Sequence, residues 1–440
     1  MLPMPGAPSS SWALFVSRLR AKFDGADSRV CLAFWLFGLI NNIFYVIILS
    51  AALDLVGPSI PKATVLLASI IPGLSCKLVV PYFIHLVPYS LRIIIFCALS
   101  TCGMLAVALS PSTTTPDSIA AKVAGIVLAN LSSGAGEVNF LALTHFYGPF
   151  SLAAWGSGTG AAGLVGAGAY ALATNSLGIS PHIALLASAV LPGVMLTSFF
   201  VLLPLGPLVN FRKHERLSNA VSSQGPSVDN EDEAIGLLSQ PASPMNHRHF
   251  LGPFFSDLGV KLQRARALVI PYMIPLFLVY LAEYTINQGV APTLLFPLDA
   301  SPFSHYRAFY PTYGALYQAG VFISRSSLPL LRIRSLYTPS MLQVFNFTLL
   351  TAHAIHPFLP SVWWVFVIVF WEGLLGGLVY VSTFAAVSEE VHPEEREFSL
   401  GAVTVSDSAG ICVAGFLGVG LEGALCAWQV SHGREWCRQL

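Results

Sequence analysis

Long apolar runs recur along this 440-residue sequence and constrain its fold more than any other feature. A helix that crosses a lipid bilayer needs roughly 20 mainly apolar residues. The sequence therefore predicts an all-α, polytopic membrane bundle with about 11 transmembrane helices. The predicted spans are 31–55, 63–87, 91–109, 119–146, 153–175, 182–204, 269–296, 311–329, 337–354, 361–387 and 399–427.

The composition excludes a water-soluble globular fold. Hydrophobic residues make up 55% of the chain and charged residues only 10%, whereas a soluble domain is about 25% charged. The formal net charge is zero, so nothing indicates a nucleic-acid partner, and the lipid bilayer is the expected surrounding. The first 30 residues are too long and polar for the start of a signal peptide, so the first apolar run is predicted to remain as a span.

A polar segment between the sixth and seventh spans divides the chain into two halves. It is rich in Ser, Asn, Asp and Pro, and disorder is predicted at least over 218–247. Two helical halves joined by a long cytosolic loop form the layout of major facilitator transporters, here in a 6+5 arrangement. The predicted parts are a tail at 1–30, a six-helix half at 31–204, a loop at 205–268 and a five-helix half with a short tail at 269–440.

Lysine and arginine residues are concentrated before the first span and in the middle loop. Arg18, Arg20, Lys22 and Arg29 precede the first span, and the loop contains a further set of basic residues. Because such residues accumulate in cytosolic loops, the N-terminus and the 205–268 loop are predicted to be cytosolic. Eleven spans then place the C-terminus on the opposite side of the membrane.

Polar side chains inside the spans are the candidate functional residues. A charge in the membrane interior costs at least about 2.5–3.5 kcal/mol on insertion scales, and is a functional hypothesis by default. Most of these residues fall in spans 1, 4, 7 and 10, which line the central cavity in a major facilitator bundle. The candidate substrate or proton pathway comprises Asn41, Asn42, Tyr45, Lys77, Glu137, Asn139, Glu283, Tyr284, Asn287, Gln288 and Glu372.

The chemistry of these candidates leaves several roles open. Glu137, Glu283 and Glu372 are candidate proton carriers or solute-binding groups. Lys77 either pairs with one of these carboxylates or receives an anionic group of the solute. Asn, Gln and Tyr side chains often only bridge helices, and that structural alternative stays open here. Span 11 also contains Asp407 and Glu422, which we did not include in the predicted pathway.

The short motifs of the sequence indicate sorting within the cell and do not indicate catalysis. Glu233-Ala-Ile-Gly-Leu237-Leu238 matches the acidic dileucine pattern that sorting adaptors bind on exposed cytosolic segments. The terminal Cys437-Arg-Gln-Leu440 has the length of a prenylation box, although its middle residues are not aliphatic and the span count places it outside the cytosol. The cysteines are expected to be free thiols. The sequence has no P-loop, nucleophile elbow or metal motif, so we predict neither an enzyme nor a cofactor.

Five stretches of the apolar segments resemble helix motifs 1, 4, 7, 8 and 10 of the battenin family of lysosomal and vacuolar membrane proteins. The resemblance extends over about residues 31–410. The stretches are Asn41-Asn42-Ile-Phe-Tyr45-Val-Ile-Ile-Leu-Ser50, Gly136-Glu137-Val-Asn139-Phe-Leu-Ala-Leu-Thr144, Tyr280-Leu-Ala-Glu283-Tyr284-Thr-Ile-Asn287-Gln288-Gly289, Tyr317-Gln318-Ala-Gly-Val-Phe-Ile-Ser324-Arg325 and Glu372-Gly-Leu-Leu-Gly-Gly377.

The resemblance implies a vacuolar or lysosomal membrane protein with a major-facilitator-like fold. It also implies a connection with lumenal pH, basic amino-acid balance, vesicle traffic or export of glycerophosphodiesters. The leading hypothesis is a secondary transporter for a small polar metabolite, either a basic amino acid or a glycerophosphodiester, coupled to protons. The alternative is a non-transporting scaffold that regulates vesicle traffic or proton-pump activity.

Overall fold

The computed structural model describes residues 17, 21–51, 55, 62–111, 115–209 and 251–439, and their regular secondary structure is entirely helical. A long helical segment occupies the position of each predicted span, so the all-α polytopic fold is confirmed. The segments are α1 Ser28–Ser50, α2 Lys62–Phe83, α3 Tyr89–Leu109, α4 Pro116–Thr144, α5 Pro149–Ala171, α6 Pro181–Leu202, α7 Gly259–Thr293, α8 Phe309–Ser326, α9 Tyr337–Ile355, α10 Val362–Glu390 and α11 Arg396–Ser431.

Eight of these described segments are long and apolar enough to cross a membrane by length and composition alone; the other three are α5, α8 and α9. Helices α5 and α8 pack against each other at the centre of the molecule, where a helix needs less apolar surface than one that faces lipid. Helix α9 turns Gln343, Asn346 and His353 inward, and all three side chains are buried. Buried polar residues therefore account for the lower hydropathy of α9, and the packing of α5 against α8 reduces the apolar surface that those two helices need.

The outer surface retains many large apolar side chains. Val190 and Val201 of α6 are 72% and 82% exposed, and Phe345 of α9 and Val367 of α10 are also exposed. Exposure of such an apolar surface to water is unfavourable in free energy, whereas lipid tails solvate it. The peripheral faces of these helices are therefore the faces that meet the bilayer.

The helices form two halves that meet along two seams. In the first half α1 packs against α5 and α3 against α4, and in the second half α8 packs against α10 and α7 against α11. Between the halves, α2 contacts α11 and α5 contacts α8. These two seams surround a central space that is lined by helices from both halves.

Glycine residues allow the same close helix crossing in each half. A Cβ atom on Gly134 of α4 would lie 2.6 Å from the carbonyl oxygen of Gly73 in α2. In the second half, a Cβ atom on Gly320 of α8 would collide with the carbonyl oxygen of Phe370 in α10. In α5, Gly158 and Gly160 also have backbone neighbours so close that a Cβ atom would collide with them or crowd them, which allows α1 and α8 to approach this helix.

The connections between helices separate into two faces. On one face Arg264 lies 2.9 Å from Glu395, and the Tyr272 hydroxyl donates to Glu390 at 2.7 Å. We call this the N-terminal face, because α1 begins there. On the opposite, C-terminal face, Gln429 at the end of α11 donates a hydrogen bond to the backbone oxygen of Thr293, at the end of α7. The start of α1 and the end of α11 therefore lie at opposite faces of the helix bundle.

The segment after α11 is fixed to the C-terminal face. Arg434 donates hydrogen bonds to the backbone oxygens of Ala354 and Ile355 at the end of α9. A disulfide joins Cys426 to Cys437, so the expectation that all cysteines are free thiols is wrong for this pair. The two cysteines are only 11 residues apart, and the turn after α11 brings them together. Since a disulfide leaves no thiol, this bond and prenylation of Cys437 exclude each other.

The last part of the predicted middle loop is helical and continuous with α7. Residues Leu251–Leu268 are helical and lead directly into the membrane part of α7, whereas the sequence placed them in the 205–268 loop. These residues were assigned to a loop because several of them, including Lys261 and Arg264, are basic, although they belong to a continuous helix. The predicted sorting signal at Glu233, Leu237 and Leu238 lies outside the described residues, as does the predicted disordered stretch.

Candidate functional site

A polar cavity of about 110 Å³ lies between the two halves. Its lining includes Asn42 and Tyr45 of α1, Ser69 of α2, Tyr284 of α7 and Gln318 of α8. Polar groups reach this depth because the flanking helices turn their apolar faces toward lipid. The cavity is therefore the place where both halves present hydrogen-bonding side chains to a common space.

Three charged side chains meet in the cavity wall. The Lys77 ammonium group of α2 lies 2.7 Å from Glu137 Oε2 of α4 and 3.0 Å from Asp407 Oδ1 of α11. All three residues are buried. Asp407 belongs to the second half and the other two belong to the first, so this ion triad joins the halves. Two carboxyl groups share one ammonium group, which leaves one carboxyl more than Lys77 can neutralise.

A tyrosine extends the triad to the other seam. The Tyr380 hydroxyl of α10 donates to Glu137 Oε1 at 2.9 Å, and it accepts a hydrogen bond from Trp155 Nε1 of α5 at 3.2 Å. Both aromatic side chains are almost fully buried. A continuous chain of polar contacts therefore runs from α5 through α10 and α4 to α2 and α11.

Arg325 adds a second cation to the cavity wall. Its Nη1 donates to Thr159 Oγ1 of α5 at 2.8 Å, and its Nη2 donates to the Tyr280 hydroxyl of α7 at 2.8 Å. The guanidinium group also stacks over the Tyr380 ring, 4.2 Å from its centroid. Since these partners are neutral, the positive charge of Arg325 is stabilised without a carboxylate among them.

A second acidic cluster lies inside the second half. Glu283 of α7 and Glu372 of α10 are 1% and 0% exposed, and neither lines the cavity. The Tyr317 hydroxyl of α8 donates to Glu283 Oε1. Asn287 Nδ2 donates to Glu372 Oε1 at 3.3 Å and to the Glu283 backbone oxygen at 3.1 Å. Tyr317 also lines the cavity, so one side chain touches both regions.

The structure places the remaining predicted residues differently. Asn41 only joins two helices, because its amide donates to Ser133 O of α4 at 3.0 Å. Asn139 faces α3, where its Oδ1 accepts from Arg92 Nη1 at 3.3 Å. Gln288 packs against Gly418 of α11. These three predicted pathway residues lie outside the cavity lining, and their contacts are those of helix-bridging side chains.

Sequence reasoning missed three residues of the site. Asp407 was recognised as an intramembrane acid but left out of the predicted pathway, although a single charge so deep in an apolar segment was a sufficient signal. Arg325 falls within predicted span 311–329 but was not included in the predicted pathway, because it lies near the end of that span. Tyr380 is one of many aromatic residues in α10, and no local pattern distinguishes it.

Comparisons with known proteins agree with this architecture. The family described as CLN3 protein matches residues 32–428. Protein btn1 of Aspergillus fumigatus is 60% identical over all of this chain and 97% of its own length. Protein BTN1 of Chaetomium globosum is 56% identical with the same coverage. Among solved structures, the human organic anion transporter MFSD10 (TETRAN) aligns over 93% of this chain and 95% of its own, with a TM-score of 0.55 and 13% identity.

Proposed function

The chain belongs to the CLN3 protein family, and on that premise we propose that it is a secondary carrier for a small polar solute in the vacuolar or lysosomal membrane. Its structure is that of a membrane transporter-like protein with a major-facilitator-like fold. The observation that carries the proposal is the polar cavity between the halves, with charged groups from both halves in its wall. Carriers of this architecture bind their solutes at the interface of the halves and expose the site to each side in turn.

The contacts across the seams support alternating access. Asp407 joins Lys77 across the seam between α2 and α11, and Arg325 joins Thr159 across the seam between α5 and α8. When the halves rock apart on one side, such contacts must break and their groups need new partners. A bound solute or proton supplies those partners, so binding and conformational change are coupled in this proposal.

The charges in the wall favour a dipolar solute. Arg325 offers a guanidinium group whose partners are neutral, which suits a carboxylate or phosphate. The triad contains one carboxyl group in excess of its ammonium, which suits a cationic group of the solute. Arginine and lysine carry both kinds of charge, and glycerophosphocholine does as well. Transport of such solutes with protons would link the protein to basic amino-acid balance and lumenal pH.

Basic residues support an orientation of the carrier in the membrane, and this orientation bears on its sorting signal. Arg29, Arg264 and Arg332 lie on the N-terminal face, which we assign to the cytosol because Lys and Arg accumulate there. The segment that contains Glu233, Leu237 and Leu238 connects two helices at this face. In this orientation we expect cytosolic sorting adaptors to bind the acidic dileucine pattern.

The proposal is tested with purified protein in sealed vesicles under an imposed pH gradient, with labelled arginine, lysine and glycerophosphocholine. We expect saturable flux of at least one solute. Asp407→Asn is expected to lower flux at sub-saturating solute at least about tenfold, because losing 1.4 kcal/mol of binding free energy is a factor of ten. Glu435→Gln, an exposed acid beyond α11, serves as the matched control and should transport like the wild type.

Two outcomes would contradict the carrier. Folded wild-type protein without saturable flux of any of the three solutes would reject it. Equal losses in Asp407→Asn and Glu435→Gln would show that the cavity is not the transport site. Defects in vesicle traffic or pump activity after deletion of 218–247, with Asp407→Asn silent, would favour the scaffold alternative.

A further inference from the structure

Glu283 and Glu372 form a buried acidic pair whose surroundings differ from those of the ion triad. Each carboxyl group keeps one oxygen, Oε2, that is buried and has no hydrogen-bond partner within the described residues. Helix α10 comes so close at Gly376 that an added Cβ would collide with Glu283 Oε2. The pair is therefore held in a tight space between α7, α8 and α10.

Charged and titratable groups face this pair from the surrounding helices. Tyr317 and Arg325 approach from α8, and Tyr280 and Tyr284 belong to the same helix as Glu283. Helix α11 contributes Asp407, which interacts with Tyr280 and pairs with Lys77. Arg325 directs its Nη hydrogen bonds to Thr159 and Tyr280, so neither acid is held in a direct ion pair with it.

A carboxylate in such a place needs a positive partner. Burying an ionised carboxylate without a cation is far more expensive than burying a neutral carboxylic acid. A proton is the smallest partner that neutralises the group, and it converts one oxygen into a donor. Beside Glu283 Oε2, the backbone of α10 at Gly376 leaves no room for a solute, whereas a proton fits on the carboxyl group itself.

We propose that Glu283 and Glu372 are the proton-binding site of the carrier, separate from the solute cavity and connected to it by Tyr317. The inference rests on the proposed function. One carboxylate takes up a proton from one side of the membrane and returns it to the other side after the halves have moved. No other bond is made or broken.

Tyr317 explains how the proton and the solute influence each other. Its hydroxyl bonds Glu283, while the same side chain forms part of the cavity lining. Its helix crosses α10 at Gly320 and Gly373, next to Glu372. A change of charge on the pair therefore acts on the helix that faces the solute. Coupling between two such sites typically changes affinity by about 5- to 150-fold.

The experiment compares two transport modes in vesicles that contain the purified full chain. Net accumulation of labelled arginine or glycerophosphocholine under a pH gradient requires proton release. Exchange of the same solute at equal pH on both sides does not. Glu372→Gln and Glu283→Gln mimic the protonated acids, so we expect both to retain exchange within about twofold and to lose accumulation about tenfold or more. Glu435→Gln should retain both modes.

Each transport result has a defined meaning. Accumulation that persists in both variants would overturn the proton site. Parallel loss of exchange and accumulation would assign the pair to solute binding or folding instead. Tyr317→Phe is the second test of the connection, and it should weaken accumulation more strongly than it weakens exchange.

A solute-independent measurement separates this proposal from the proposed function. Infrared difference spectra of the wild type, Glu283→Gln and Glu372→Gln are recorded at several pH values, and a buried protonated carboxyl is detected by its C=O band. We expect this band in the wild type and its loss in Glu372→Gln. A band that is unchanged in both glutamine variants would overturn the proton site even if transport occurs. A band without transport of any tested solute would support the proton site and reject the carrier.

Discussion

The ion triad and the acidic pair place the same chemical group, a buried carboxyl, in two different surroundings. In the triad, Glu137 and Asp407 share the ammonium group of Lys77 across the boundary between the halves. In the pair, Glu283 and Glu372 lie inside one half with neutral hydrogen-bond donors. The partners therefore decide the role. Carboxylates with a cation join the halves, whereas the carboxyl groups without one are those that we propose to bind a proton.

This difference has an energetic consequence. Removal of one member of a buried ion pair leaves an uncompensated charge, whereas glutamine in place of a protonated acid leaves none. The two regions should thus respond differently to isosteric neutral substitutions. Four substitutions test that contrast by thermal and denaturant unfolding of purified protein.

Lys77→Met should have the largest effect. It leaves the carboxylates of Glu137 and Asp407 together in the membrane interior without a cation, which we expect to lower the free energy of unfolding by about 3–5 kcal/mol. The double variant Lys77→Met with Asp407→Asn should recover part of this loss. Lys22→Met, at an exposed lysine, is the control. If Lys77→Met alone were as stable as Lys22→Met, the triad would not be ionised.

Tyr380→Phe should have the next largest effect. The hydroxyl serves both Glu137 and Trp155, and its removal leaves two buried polar atoms without a partner, at a cost of about 1–3 kcal/mol. Tyr306→Phe provides a comparison, because Tyr306 stacks on Trp436 through its ring. Equal melting temperatures of the two variants would contradict the role of Tyr380 in extending the triad.

Gly320→Ala tests the crossing beside the acidic pair. The added methyl group meets the backbone of α10, so the helices must separate, and overpacking of this kind costs about 1–3 kcal/mol. Gly420→Ala on α11 is the matched control, because its Cβ would meet open space. We expect the control to be at least as stable as the wild type. Similar behaviour of the two variants would show that α8 and α10 can move apart freely.

Glu372→Gln should have the smallest effect on stability. If the acid holds a proton, glutamine preserves its size and neutrality, and the free energy of unfolding should change by less than about 1 kcal/mol. A loss as large as that in Lys77→Met would mean that Glu372 is ionised in the folded protein. That result would remove the contrast between the two regions.

Much of the fold was predictable because its main signal is local. The length of each apolar run is set by the thickness of the bilayer, so the run itself marks a helix. Asn42, Tyr45, Lys77, Glu137 and Tyr284 of the predicted pathway line the cavity, because polar residues avoid lipid. The end of the middle loop was not predictable in this way, since the helix from Leu251 to Leu268 is polar where it leaves the membrane.

The direction in which a side chain points was harder to predict than its depth. Successive residues of a helix are about 100° apart, so Glu137 and Asn139 point to nearly opposite sides of α4. Glu137 faces Lys77 and the cavity, whereas Asn139 faces Arg92 of α3. The sequence shows two polar residues in one span, and only the packing of α4 against its neighbours separates their roles.

By itself the sequence determined a polytopic helical membrane protein with two halves and acidic residues at membrane depth. The tertiary structure alone decided which of those residues meet. Lys77 and Asp407 are 330 positions apart in the chain, yet they form one ion pair because α2 and α11 share a seam. Apolar length is encoded within each segment, whereas the pairing of charges depends on how the segments rotate and pack. For that reason the triad, Arg325 and the isolated acidic pair emerge only from the folded molecule.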